Sequence, residues 1–288
     1  MKELLNILMD FGKVRITLFV AISGSVGYIL SAGDVSTGML LPLLGIFILS
    51  FGSAALNQLQ EWRYDSMMNR TQSRPIPSLK LSRMTGLMII VASFVVGLGF
   101  LYFGANIEAF LLGIAAIIWY NVIYTPLKRV SALAVVPGAL IGAIPPAIGW
   151  VAAGGMITDP GLIVLSLFFF IWQIPHFWLL LLIYEKDYKK AGFPVLTDLF
   201  SREQFTRITY TWIAALAAIC MLMTFYIQPH NLITYALLFI AGFWLMWRTK
   251  SLAGKYYGKK TYKYAFHAIN FYVLAVVSLL SIDQLIIF

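Results

Sequence analysis

Three oxygen-bearing side chains, Asn57, Glu61 and Asp65, recur at intervals of four within "NQLQEWRYDSMMNRTQSRP", residues 57–75. On a helix that spacing lays them along one stripe, each about one turn above the last. Such a stripe suits a hard divalent cation. Magnesium usually takes one or two carboxylates and completes its shell with water and phosphate oxygens. Arg70 and Arg74 are also four apart, and a guanidinium binds phosphate through a planar fork. Together they would make a diphosphate clamp, metal on one side and guanidinium on the other. A solvated loop whose Glu–Arg pairs stabilise little would use the same residues.

Three further stretches carry polar groups. "IYEKDYKKAGFPVLTD" (183–198) mixes Glu185, Asp187 and Asp198 with Lys189 and Lys190. One of its acids could complete a second metal position, or the segment is an ordinary charged loop, since Gly192 and Pro194 end any helix there. "YNVIYTPLKR" (120–129) places Tyr124 and Lys128 four apart. The lysine could meet phosphate, and the tyrosine could donate a hydrogen bond or stand beside a developing cation. An aromatic belt with a basic anchor explains both equally. "FIWQIPHFWLL" (170–180) sets His176 inside an apolar run, where a titratable group defaults to a functional hypothesis. It could ligate a metal, haem iron included, hydrogen-bond across helices, or simply pack. His267 is a second candidate; His230 sits in a connection. The single cysteine, Cys220, permits no intrachain disulfide and reads as packing.

These groups sit in an oily chain. Of 288 residues, 60% are hydrophobic and 11% charged, against about 25% in soluble domains, and mean hydropathy is +0.84. Apolar runs long enough to cross about 30 Å of hydrocarbon recur throughout. Their apolar character on all faces excludes a soluble helical bundle. Nine spans are predicted, at 14–31, 38–58, 85–103, 107–124, 132–153, 160–183, 208–228, 231–248 and 265–288, with Gly138, Gly142, Pro145 and Pro146 implying close helix contacts and kinks. If nine spans alternate, all 21 Lys and Arg fall on one face. The excess predicts a cytoplasmic N-terminus and an outer C-terminus. The expected protein is an all-α, multi-pass, single-domain chain (1–288) with polar loops at about 57–84 and 184–207. The N-terminal run reads as a retained span rather than a cleaved signal. The net charge of +9, interleaved with spans, suits membrane lipid headgroups or an anionic substrate rather than nucleic acid. No Asp, Glu, Lys or Arg lies near mid-span, which argues against a transporter. A purely structural subunit would not need the 57–75 cluster.

The motifs resemble a known family. Asn57, Glu61, Asp65, Met68, Arg70, Thr71, Arg74 and Pro75 resemble the first aspartate-rich motif of the UbiA-type intramembrane prenyltransferases. They are most similar to the branch that farnesylates haem B, the protoheme IX farnesyltransferases (haem O synthases). "KVRITLFV" (13–20), "YTPLKR" (124–129), "GAIPPAIGW" (142–150), "WQIPHFW" (172–178) and "DYKKAGFPVL" (187–196) extend the resemblance in order along most of the chain. It implies nine helices around a central cavity in a bacterial inner membrane. It also implies magnesium-assisted ionisation of farnesyl diphosphate and transfer to a vinyl of haem B, with a haem A synthase as a possible partner. By the resemblance Asn57, Glu61, Asp65 and Asp187 act on metal and diphosphate, the metal ligands being Glu61, Asp65 and Asp187. Arg70, Arg74 and Lys128 neutralise diphosphate, Tyr124 is catalytic, and His176 contacts haem. Glu61 stands where the wider superfamily has Asp, and Glu185 with Asp187 replace two aspartates four apart. A relative acting on a quinone precursor or other aromatic acceptor would share the metal and diphosphate residues, so only acceptor-side features such as His176 and 142–150 distinguish it. The roles of Glu185, Asp198 and His267 stay open.

Overall fold

In lipid the backbone must satisfy its own hydrogen bonds, so long apolar stretches become helices. The computed structural model describes residues 2–254 and 258–286, and among them it holds helices and turns and no strand. Lys255 and the last two residues of the ninth expected span lie outside the described residues. Nine helices among the described residues are long and apolar enough to cross a bilayer. The main elements are α1 (Lys2–Phe11), α2 (Val14–Ala32), α3 (Leu40–Met67), α4 (Arg83–Gly104), α5 (Ile107–Ile117), α6 (Ile144–Ala152), α7 (Pro160–Lys190), α8 (Arg202–Ile227), α9 (Leu232–Thr249) and α10 (Lys259–Leu285).

Two helices run further than their apolar stretches. α3 continues nine residues past position 58, to Met67, and α7 continues to Lys190. The acidic stripe is therefore helical, as its four-residue spacing implies, and so is much of the second polar stretch, where the helical spacing is less clean. Gln, Glu, Arg and Lys are good helix formers, and no breaker intervenes. α7 ends where Gly192 takes the left-handed conformation at φ 77°, and it is locally broken at Tyr184 (φ −114°, ψ 20°). α1, a short helix before the first span, was not anticipated.

The fourth span departs from a plain helix. α5 passes into a π-helical turn, Ile118–Tyr124, before a last α turn at Thr125–Leu127. Such bulges concentrate at functional sites. In the fifth span short helical pieces occupy 132–142 ahead of α6, as the glycines and prolines there suggested.

The "GAIPPAIGW" stretch is buried against α2. A Cβ on Gly149 would lie 1.8 Å from the carbonyl oxygen of Gly24, and one on Gly27 would lie 1.9 Å from that of Pro146. Only glycine lets the two backbones touch here. Most buried apolar side chains form one continuous core. A small separate cluster of Met68, Ala191 and Phe193, flanked by Tyr64 and Tyr188, joins the segments that follow α3 and α7. It brings the two polar stretches together.

Candidate active site

Asn57, Glu61 and Asp65 share one buried face of α3, at 2%, 5% and 1% exposure. Buried carboxylates require partners, and each has them. Arg74 Nη1 lies 2.7 and 2.8 Å from the two oxygens of Asp65. Lys128 Nζ lies 2.7 Å from Glu61 Oε2, and Arg129 Nε lies 3.8 Å from Oε1. Asn57 donates to Glu61 Oε2 at 3.1 Å and to Thr125 Oγ1 at 3.1 Å. Its Oδ1 accepts from Lys13 Nζ at 3.4 Å. The end of the stripe is fixed by Thr71, whose hydroxyl donates to the Asp65 carbonyl at 2.9 Å.

Two carboxylates thus face four cations: Lys13, Arg74, Lys128 and Arg129. For Lys128, burial opposes the charge, but Glu61 together with Tyr120 and Tyr188 outweighs it and lifts the pKa above the usual lysine range. Lys13 goes the other way. Burial first, then the charges of Arg74 and Lys128, pull its pKa down from 10.5 to about 7. The cluster already holds more positive charge than its acids neutralise, and an anion would relieve it.

Aromatic rings border this cluster. Tyr120 stacks on Tyr124 with centroids 5.8 Å apart, and Lys128 Nζ lies 5.4 Å from the Tyr124 ring centre. Tyr124 is pressed against Gly138, where any Cβ would come within 2.3 Å of its ring. The π-helical turn is tied to α3 by Asn121, which donates to the Ser53 carbonyl at 2.9 Å, and by Gln60, which donates to the Asn121 carbonyl at 3.0 Å.

The second polar stretch reaches the first through Arg70. Its guanidinium stacks over Tyr184 at 4.7 Å and donates to the Tyr188 hydroxyl at 3.2 Å. Asp187 is half-buried and forms no ion pair or side-chain hydrogen bond among the described residues. Glu185 instead binds Thr197 at 2.7 Å, Arg202 at 2.6 Å and Lys189 at 3.3 Å, and Lys189 also reaches Asp198 at 2.8 Å. Glu185 and Asp198 therefore pin the 191–202 connection. His176 sits between the rings of Trp172 and Phe266, 4.9 and 4.8 Å away, with Nδ1 2.8 Å from Asn270 Oδ1. His267 is exposed.

The UbiA prenyltransferase family model matches residues 18–270. The chain belongs to this family. The protoheme IX farnesyltransferase of Geobacter sulfurreducens is 38% identical over 211 residues, 73% of this chain and 78% of the relative. That of Oleidesulfovibrio alaskensis is 31% identical over 275 residues, 95% of each chain. Among solved structures, a digeranylgeranylglyceryl phosphate synthase superposes with TM-score 0.79 at 15% identity, covering 98% of this chain and 99% of that one. A UbiA homolog from Archaeoglobus fulgidus bound to GPP and Mg2+ gives 0.68 at 14% identity, covering 94% and 99%. The shared fold is that of an intramembrane prenyltransferase.

Within this UbiA-family site, the expected metal set is not assembled. Among the described residues no three His, Cys, Asp or Glu side chains converge as a metal cluster. Asp65 is held by Arg74, Glu61 by Lys128, and Asp187 lies beyond the break in α7. A smaller set does fit magnesium. Glu61 Oε1 is buried without a hydrogen-bond partner, 3.8 Å from Arg129 Nε, and magnesium needs only one or two carboxylates when phosphate supplies the rest. Lys13, Asn121 and Asn270 were not anticipated as part of these sites. Lys13 was visible in "KVRITLFV", but only the left-handed backbone at Lys13 (φ 50°) and the α1–α2 bend bring it beside Asn57.

Proposed function

We propose that this prenyltransferase moves the farnesyl group of farnesyl diphosphate to a vinyl group of haem B, giving haem O and diphosphate. The observation that carries the reading is the buried stripe of Asn57, Glu61 and Asp65 with its surplus of cations, beside the Tyr120–Tyr124 pair. The names of the protoheme IX farnesyltransferase relatives support haem B as acceptor, and the magnesium in the Archaeoglobus fulgidus structure supports the metal.

Glu61 would hold magnesium, with Asp65 joining it once Arg74 turns from Asp65 to the diphosphate, and with Asn57 and Asp187 completing the polar lining. When bound, the ion draws negative charge from the diphosphate as the allylic C–O bond breaks. Arg74 and Lys128 face the same leaving group and stabilise its charge where it develops. Lys13 adds a third contact, and Arg70 holds the second polar stretch over the site. Tyr120 and Tyr124 offer ring faces to the farnesyl cation, worth about 0.5–2 kcal/mol each. The buried surroundings delay quenching by water. The cation adds to the vinyl terminus, the new cation beside the porphyrin takes up water, and a proton leaves.

Both substrates are amphiphiles, so a site at the boundary of a bilayer suits them. The one-sided basic residues favour the inner face of a bacterial cytoplasmic membrane, where a haem A synthase would receive the product. The test incubates the purified protein with haem B, farnesyl diphosphate and magnesium and looks for haem O by mass spectrometry. Turnover of a hydroxybenzoate with none of haem B would refute the acceptor.

A further inference from the structure

We infer that Asn270 is a positioning residue that fixes the tautomer of His176, leaving Nε2 as the lone-pair nitrogen free to bind haem iron. The inference rests on the proposed haem acceptor and adds to it the atom that meets iron and the residue that sets it. Asn270 stands on α10, 94 positions from His176 on α7. Its amide has no freedom of orientation: Nδ2 donates to the Phe266 carbonyl at 2.7 Å. The oxygen, not the NH2, must therefore face His176 Nδ1 at 2.8 Å. A carboxamide oxygen only accepts, so Nδ1 carries the hydrogen. In a neutral imidazole the lone pair is then on Nε2.

The remaining contacts of the ring agree. Trp172 and Phe266 cover the imidazole, centroids 4.9 and 4.8 Å away, and hold its plane. Among the described residues Nε2 finds no hydrogen-bond partner, yet it is not one of the buried polar atoms closed off from the surface. A histidine placed only to tie α7 to α10 would be expected to shield or satisfy both nitrogens. Here one is saturated and the other left open, as in metal-binding histidines whose second nitrogen is tied to an acceptor. Ligation through Nε2 would hold the porphyrin by its iron and bring one vinyl edge to a constant place. It predicts a preference for iron porphyrin over the metal-free ring.

The test compares wild type, His176→Ala, Asn270→Leu and Asn270→Asp in detergent. The probes are ferric protoporphyrin IX, metal-free protoporphyrin IX and farnesyl diphosphate. Wild type is expected to show a histidine-ligated ferric spectrum, and His176→Ala to lose it. Asn270→Leu should weaken ferric protoporphyrin binding about 10- to 100-fold and raise KM for haem. Affinities for metal-free protoporphyrin and farnesyl diphosphate should not change. Asn270→Asp, which keeps an acceptor, should bind ferric protoporphyrin more tightly than Asn270→Leu. If His176→Ala keeps the histidine-ligated spectrum, the haem contact itself is wrong. If His176→Ala loses it while Asn270→Leu retains wild-type affinity, the contact stands and the role of Asn270 is overturned. A variant that does not fold leaves a readout on the wild type: nitrogen NMR of labelled histidine must find Nδ1 protonated, and a proton on Nε2 refutes the inference.

Discussion

Arg74 places one guanidinium nitrogen, Nη1, against both carboxylate oxygens of Asp65. The acid on α3 and the base on the following turn hold each other at the position where metal and diphosphate would meet. Catalysis as proposed requires them to exchange partners, Asp65 turning to magnesium and Arg74 to phosphate. The side chain of Arg74 keeps 24% exposure, which leaves it able to swing.

Arg74→Ala is accordingly expected to lower turnover by about 10²- to 10³-fold, the cost of losing one stabiliser of developing charge. The requirement for farnesyl diphosphate should rise. Asp65→Asn should abolish magnesium-dependent turnover while the protein remains extractable and folded. Steady-state kinetics with magnesium titration checks both, and an unchanged farnesyl diphosphate requirement would remove Arg74 from the clamp.

Lys13 gives a pH signature. Its folded pKa of about 7 lies below the ordinary 10.5, so the unfolded chain binds more protons between those values. Its contribution to stability therefore rises as pH rises through that window. A bound diphosphate reverses the environment and recharges the amine. Binding at pH 8 to 9 should take up protons, and affinity should fall as pH increases. Calorimetry in two buffers of different ionisation heat measures the uptake, and Lys13→Met should remove it.

Gly27 and Gly99 make a paired test of packing. A Cβ at Gly27 meets the Pro146 backbone at 1.9 Å, whereas one at Gly99 meets nothing within 4 Å. Gly27→Ala should cost about 1–3 kcal/mol or more. Gly99→Ala should gain about 0.5–1 kcal/mol by favouring helix. Thermal unfolding in detergent ranks the two.

Asp283 is buried near the end of α10 and caps the start of α9. It accepts from the backbone N–H groups of His230 at 2.6 Å and Asn231 at 3.2 Å, and from Thr234 Oγ1 at 2.6 Å. Asp283→Ala strands these donors and should cost about 1–3 kcal/mol. Turnover per folded molecule should be unchanged, which denaturation and activity measured together would show.

The sequence was most legible where a period or a length carried the signal. Nine apolar runs suffice for the all-helical architecture, and the four-residue interval suffices for the face shared by Asn57, Glu61 and Asp65. Legibility ended where tertiary contacts decide. No local pattern says that Asn270, rather than His267 three residues earlier, turns toward His176. The π-helical turn at 118–124 has no breaker residue to announce it. Asp65 and Arg74, nine apart, look like members of separate stripes, and a turn folds one onto the other. The "GAIPPAIGW" stretch gives no local sign of its crossing with α2, where Gly149 meets the Gly24 backbone.

That crossing limits how an isoprenoid can arrive. At Gly24, Gly27 and Gly149 the two helices meet backbone to backbone, leaving no seam through which a farnesyl tail dissolved in lipid could slide. A farnesyl tail loading from the bilayer would have to enter by a different flank of the bundle than this α2–α6 post.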